Sequence, residues 1–432
     1  MRNEVIYDKN GRPDIMVVFT PAELGLPDTL RGRKVKEYAI SKYPNTLIDG
    51  VPYSLPFMKP AVNISHDEAI RLCESKGEGW HLITNDEWVA LGFWSWDNDT
   101  MPTGNTASGK SHSHPEQTGT TYEGGCGKTL TGSGPVQWNH DGTAYGVADM
   151  CGNIWEHVGG VRFMDGMPQV IPNNGAAYGA DQSKNSPEWE AIYTEDGDPV
   201  YYNVHDGEIT IQPVHPDGTD YDGVKFTDLE VRSDMDAPDK LKELGLYPAD
   251  GYESDEYFWL DSNGERVIYR GGYWHNGAYA GVFYLNGNNS RSNANTNIGF
   301  RAALALFVYF LRAKAQQKHQ GKRDAFPGRQ GQRYTLVLLC RWRPPGTPSK
   351  PRRLAVVCYA GRRGIRILRR GDRRGKISPR NVTTQAIIMT TQGGTRTWIQ
   401  ETSPPFWREY TRGRIFWTHT TRQQARSGTA TT

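Results

Sequence analysis

Five cysteines in 432 residues (Cys73, Cys126, Cys151, Cys340 and Cys358) are too scattered, and odd in number, to form a disulfide framework or a close-spaced metal-ligand set. Cys126 with Cys151 stays open as a pair. Long apolar runs are also scarce. The longest in the second half, "AALALFVYFL" from Ala302 to Leu311, is too short to span a bilayer. The opening "MRNEVIYDKNGRPDIMVVF" has no extended apolar core behind its basic residue, so no signal peptide is expected.

The total charge of +2 conceals a division. From Ala305 to Thr432 there are 22 Arg and 5 Lys against 2 Asp and 2 Glu, a charge of +23, which leaves −21 on the first 304 residues. An acidic body precedes a basic tail, and the two are read separately. The tail stretch "RRLAVVCYAGRRGIRILRRGDRRGKISPR" would attract phosphate in a salt-sensitive way, and aromatic residues there could stack on bases. It carries no recognisable nucleic-acid-binding motif, and its Arg, Thr, Gly and Pro bias resembles a shifted or read-through frame. Residues 305–432 are read as a disordered basic extension, and nucleic-acid binding through them is kept as an alternative.

In the body, residues 1–29 read as a strand and loop segment. Capping boxes at Ser65 with Glu68 and at Thr84 with Glu87 start two short helices that flank "WHLIT". The second helix carries Trp88, Leu91 and Trp94 at helical spacing. From Met101 to Pro135 the Gly, Ser, Thr and His content predicts a long irregular loop. Its "SHSHP" has two histidines without a nearby third ligand, and "DGTDYDG" (Asp217 to Gly223) lacks the closing glutamate of a calcium loop, so neither is read as a metal site. Residues 164–260 look like an inserted strand-rich subdomain, with one helix around "APDKLKELG". "YFWLDSNGERVIYR", with Asn263-Gly264 at its centre, predicts a hairpin.

That hairpin leads into "RGGYWHNGAYAGVFYLNGNNSRSNANTNIGFRAAL", Arg270 to Leu304, which holds seven asparagines at 276, 286, 288, 289, 293, 295 and 297. Asparagine is a poor strand former, yet the segment alternates like a strand. Phe283 and Leu285 share one face and Tyr284 and Asn286 the other, so an apolar frame carries a polar set. Such conflict between pattern and propensity marks functional positions.

Three blocks occur in order: "SHDEAIRLCESKGEGWHLITNDEW", "GVADMCGNIWEHVGG" and "RGGYW…IGFRAAL". Together they resemble the formylglycine-generating-enzyme-like (sulfatase-modifying factor) version of the C-type lectin fold, an α+β fold, over roughly residues 30–304. More closely they resemble the variable proteins diversified by diversity-generating retroelements, particularly the gut-phage type. In that family the last block, here 270–304, is the variable region, rewritten by a reverse transcriptase that misreads template adenines. Asparagine codons hold two adenines, and changing these yields Tyr, His, Asp, Ser, Thr or Ile and never a stop. The resemblance thus implies a replaceable ligand-binding set: Tyr273, His275, Asn276, Tyr279, Tyr284, Asn286, Asn288, Asn289, Ser290, Ser292, Asn293, Asn295, Thr296 and Asn297. Trp155, Trp274, Phe283, Leu285 and Phe300 are expected to be scaffold, with Gly271, Gly272, Gly277 and Gly299 completing the frame. Tyr, Asn and Ser are also the residues on which antibody loops rely.

The first rival is a formylglycine-generating-enzyme-like oxidoreductase. The paired cysteines of such a copper site would lie in the C-terminal part of the fold, and Gly271 to Leu304 contains none. His66, His81, His140 and His157 show no compact ligand spacing, and the calcium-sugar signatures of true C-type lectins are absent. No enzyme, metal or cofactor is therefore expected. The resemblance implies a phage-tail receptor-binding protein and host-tropism determinant, made in the host cytoplasm, with a bacterial surface location as the alternative. Its partners would be a bacterial cell-surface protein or glycan and the structural proteins of the tail. The sequence does not specify an oligomeric state.

Overall fold

The computed structural model describes residues 1–216 and 220–308, together with the backbone of three strands farther on, Thr335–Trp342, Arg352–Gly361 and Gly364–Arg369. The principal elements of the body begin with strands β1 (Arg2–Tyr7), β2 (Pro13–Phe19) and β3 (Arg33–Ser41). Helix α1 (His66–Glu74), strand β4 (Trp80–Leu82) and helix α2 (Asn85–Asp97) follow. Beyond the long loop come β5 (Trp155–Met164), β6 (Met167–Val170), β7 (Tyr221–Lys225), α3 (Asp239–Glu243) and β8 (Tyr257–Asp261). The chain then forms β9 (Glu265–Arg270), β10 (Leu285–Asn289), β11 (Ile298–Phe300) and β12 (Ala302–Phe307).

The capping residues set the helix starts. Thr84 and Glu87 make both halves of their box, each backbone N–H donating at 3.1 Å to the other's side chain. Ser65 makes the forward half, accepting from the Glu68 N–H at 3.3 Å. One antiparallel sheet has the order β1-β2-β3-β12-β4, so the last strand of the body lies between two early ones. The first 29 residues share that sheet, and Val17 and Phe19 enter the main core. β12 runs to Phe307, so Ala305 to Phe307 belong to the body.

The second sheet runs Glu190–Ala191, β6, β5, β9, β10, β8 and β7, with β11 parallel to β5. Residues 164–260 do contain the expected short strands and helix, but they do not close on themselves. β7 and β8 extend this sheet, and Tyr202, Ile211, Phe226, Leu241 and Phe258 pack in one cluster with Trp88, Phe283 and Leu285.

The expected hairpin is not formed. The turn at Asn263-Gly264 exists, with Gly264 at φ +67°, but β8 and β9 do not pair with each other. β10 lies between them, parallel to β8 and antiparallel to β9. The turn backbone instead bonds to Asp165: Asp165 N–H donates to the Gly264 carbonyl at 3.0 Å, and Gly264 N–H to Asp165 Oδ1 at 2.8 Å. A local turn signal fixes the reversal of the chain but not the distance between its arms.

The three later strands form a separate antiparallel sheet in a second unit, Phe310–Thr432. The expectation of disorder for the rest of the extension, and Asp217 to Thr219 of "DGTDYDG", lie outside the described residues.

Candidate functional site

The strand at the heart of the polar segment is anchored from below. Phe283 and Leu285 are fully buried in the main core, and the Trp88 indole of α2 donates to the Val282 carbonyl at 2.7 Å. Gly271 has φ +91°, and a Cβ there would lie 2.7 Å from the Met150 carbonyl oxygen, so this position needs glycine on both counts.

A buried arginine clamps each end of the segment. Arg270 donates to the Phe283 carbonyl at 2.9 Å, to the Leu244 and Gly245 carbonyls at 3.0 and 3.1 Å, and to Asn85 Oδ1. Arg301 pairs through two nitrogens with Glu156, and it donates to the Ala148 carbonyl at 3.0 Å. Arg291, in the middle, ties the outer loop down: it bonds Glu265 at 2.9 Å and Asp67 of α1 at 2.7 Å. Sequence reasoning missed this anchor, although a lone arginine among Ser and Asn was a signal.

Glu256, from the insertion, holds the chain just before β10. Its Oε2 accepts from the Tyr252 hydroxyl at 3.0 Å and from the Phe283 N–H at 3.2 Å. Burial pushes its carboxyl up to about 7. A raised folded value means that the protonated acid is favoured in the native state. The stability this contributes is present below the ordinary carboxyl range and is lost as pH rises through about 7. Glu256→Gln, which stays neutral, should therefore gain stability relative to the parent as pH rises from 4.5 toward 8. Parallel melting curves of the two proteins would show this, and a constant difference across that window would refute it.

Over this frame, the polar set forms a face. His275, Tyr279, Ser290, Ser292, Asn295 and Thr296 are exposed, and Tyr273, Asn276, Asn286, Asn288, Asn289, Asn293 and Asn297 are half-buried. Several asparagines also make the local bonds that the residue favours. Asn276 Oδ1 accepts from the Tyr273 N–H at 2.7 Å, and Asn295 Oδ1 from the Thr296 N–H at 2.7 Å. An amide ladder crosses the face: Asn289 donates to Asn286 at 2.8 Å, and Asn293 to Asn289 at 2.7 Å.

Tyr284 is a correction to the expected exposed set. It is 2% exposed, its ring 4.5 Å from that of Trp155 and steeply inclined to it. It does face away from Phe283, although both residues belong to the turn before β10 and not to the strand. A second apolar cluster of Trp155, Tyr269, Ala280 and Ile298 covers that face at this point. Of the expected scaffold residues, Trp155, Phe283, Leu285 and Phe300 are buried, and Trp274 is half-buried with the Lys128 ammonium 4.1 Å from its ring centre.

The structure adds residues that the sequence reading left out. In the parallel pairing of β8 with β10, Trp259 stands beside Asn286. Tyr257 and Trp259 therefore border the polar face, although they come from the insertion. Cys126 is exposed, Cys151 is buried, and both are free thiols, so the open pair is not made. Among the described residues, no three His, Cys, Asp or Glu side chains converge, and no helix is long and apolar enough to cross a membrane. His66 and His157 do meet, 5.4 Å apart, but each ring bonds to a backbone carbonyl.

Residues 32–166 match the sulfatase-modifying factor enzyme 1-like domain. The body has the formylglycine-generating-enzyme-like form of the C-type lectin fold. Two solved structures similar to this chain are named Major Tropism Determinant I1 Variant and Major Tropism Determinant U1 Variant, at 15% and 16% identity. The alignments cover 68% and 71% of this chain and 56% and 46% of those chains, with TM-scores of 0.26 and 0.23. This chain thus spans about half the length of those proteins. No curated protein matches it.

Proposed function

We propose that the polar face is a ligand-binding surface rewritten by a diversity-generating retroelement, and that the protein is a receptor-binding, host-tropism determinant of a phage tail. The observation that carries this reading is the separation of roles within 270–304. Apart from the buried Tyr284, the side chains reachable from asparagine codons are exposed or half-buried, whereas the glycines, Phe283, Leu285 and the flanking arginines hold the backbone from within. Their replacement therefore changes the surface and spares the support. A preorganised platform of this kind limits the ordering cost of binding. The partners would be a bacterial cell-surface protein or glycan on the outside and tail proteins on the other side, after synthesis in the host cytoplasm.

The test is at the DNA level. A nearby template repeat should differ from the stretch encoding 270–304 only where the template has adenine, with a reverse transcriptase gene close by. Differences scattered over all four bases would sink the proposal.

A further inference from the structure

We infer that the insertion supplies a fixed aromatic shelf, Tyr257 and Trp259 with Tyr279 beside them, that receives a neutral sugar ring next to the replaceable face. This rests on the binding role proposed above and names its ligand class. Tyr257 and Tyr279 have ring centres 4.0 Å apart at 36°, and Tyr257 and Trp259 are 6.4 Å apart at 34°. None of the three rings is fully buried, Tyr279 being 46% exposed. Trp259 lies over bare backbone, because its partner on β7 is Gly223, where a Cβ would sit 2.5 Å from the indole. Any side chain at 223 would lift the ring.

Charge selects the ligand class. Apart from tyrosines, the only ionisable residues between Tyr273 and Asn297 are His275 and Arg291, and Arg291 is engaged by Glu265 and Asp67. At the margin of the shelf, Lys225 and Asp255 pair with each other at 2.7 Å. Lys128, the ammonium nearest the polar face, is taken up by the Thr296 carbonyl at 3.1 Å and the Trp274 ring, so apart from His275 the surface offers mainly rings and amides. An acidic polymer or a charged protein patch would lose water there and find little counter-charge to offset the loss. A neutral pyranose matches both halves: its C–H face lies on flat rings, and its hydroxyls meet amides that donate and accept. Tyr257 and Trp259 lie outside 270–304, so the shelf would keep the ligand class constant while the neighbouring amides select the member.

The experiment probes the full chain on an array of neutral and acidic polysaccharides extracted from bacterial surfaces. Binding should be confined to neutral glycans. Tyr257→Ala and Trp259→Ala should each weaken it about tenfold or more, and Trp259→Phe, which keeps a ring and guards against a folding defect, should retain most of it. His275→Ala with Asn288→Ala should change which neutral glycan is preferred. Unchanged binding by the shelf variants, binding restricted to acidic glycans, or no glycan binding would overturn the shelf. In the first two cases the replaceable-face reading survives if the His275 and Asn288 changes still alter binding. If those changes also have no effect, that reading fails as well.

Discussion

Arg301→Met is expected to lower the stability of the body by about 3–5 kcal/mol, the cost of breaking a buried ion pair from one side. Arg301 is fully buried, with Nε 2.7 Å from Glu156 Oε2, a second nitrogen on Oε1, and the Trp88 ring 5.6 Å away. Methionine fills part of the volume but leaves the Glu156 carboxylate without its partner in the same dry site. Burial already pushes that carboxyl up, and the guanidinium opposes the shift. Without the guanidinium the value rises farther, so Glu156 would fold as the neutral acid. The contribution of a raised acid is retained at low pH and lost as pH rises through its folded value. The deficit of Arg301→Met should accordingly be smaller at pH 5 than at pH 8, and Arg301→Met with Glu156→Gln should recover part of it. Urea denaturation of the parent and both variants at the two pH values measures this. A deficit under about 1 kcal/mol, the range of an exposed pair, would contradict the clamp.

The second large effect separates two tyrosines that the sequence places in one class. Tyr284→Ala should cost about 3–5 kcal/mol, as expected when a packed aromatic ring is removed. Tyr279→Ala, at an exposed position, should stay within about 0.5 kcal/mol. Tyr284 loses its contact with Trp155 and opens the cluster with Tyr269 and Ile298. Tyr279 loses mainly its contact with Tyr257, at the surface. Equal, small losses in thermal unfolding would return Tyr284 to the replaceable set.

Those two tyrosines also show how far sequence reading reached. Period-two alternation gives the face of a strand, and Phe283 and Leu285 do go inward together, but the strand begins only at Leu285, and Val282 in the turn before it joins the same core. Alternation does not say what covers the other face. Trp155 comes from a strand more than a hundred residues earlier, so the burial of Tyr284 is a non-local fact. Local chemistry was most reliable where it is self-contained. Thr84 and Glu87 cap each other, and α2 starts there. The turn at Asn263-Gly264 was legible for the same reason, but the insertion of β10 between its arms was not, because that strand is supplied from farther along the chain. Reading β8 and β9 as a hairpin also hid Trp259, which borders the polar face only because β10 lies beside it. Arg270 and Arg301 could be seen to flank the polar segment, but their work could not, because carbonyl groups from distant loops meet them only in the fold.

The position of β10 has a further consequence if the surface is rewritten as proposed. A strand with one open flank presents unpaired N–H and C=O groups, a template on which other chains can add, and proteins restrain such flanks with charged residues, proline or bulges. Under the proposed rewriting, random replacement could not keep those protective residues. With β8 paired to 285–287 on one side and β9 to 285, 286 and 289 on the other, most of the β10 backbone is already partnered by strands outside 270–304 or at its very margin. A new residue at 286, paired on both sides, would therefore change the surface without exposing a sticky seam, so the proposed diversification need not bring aggregation with it.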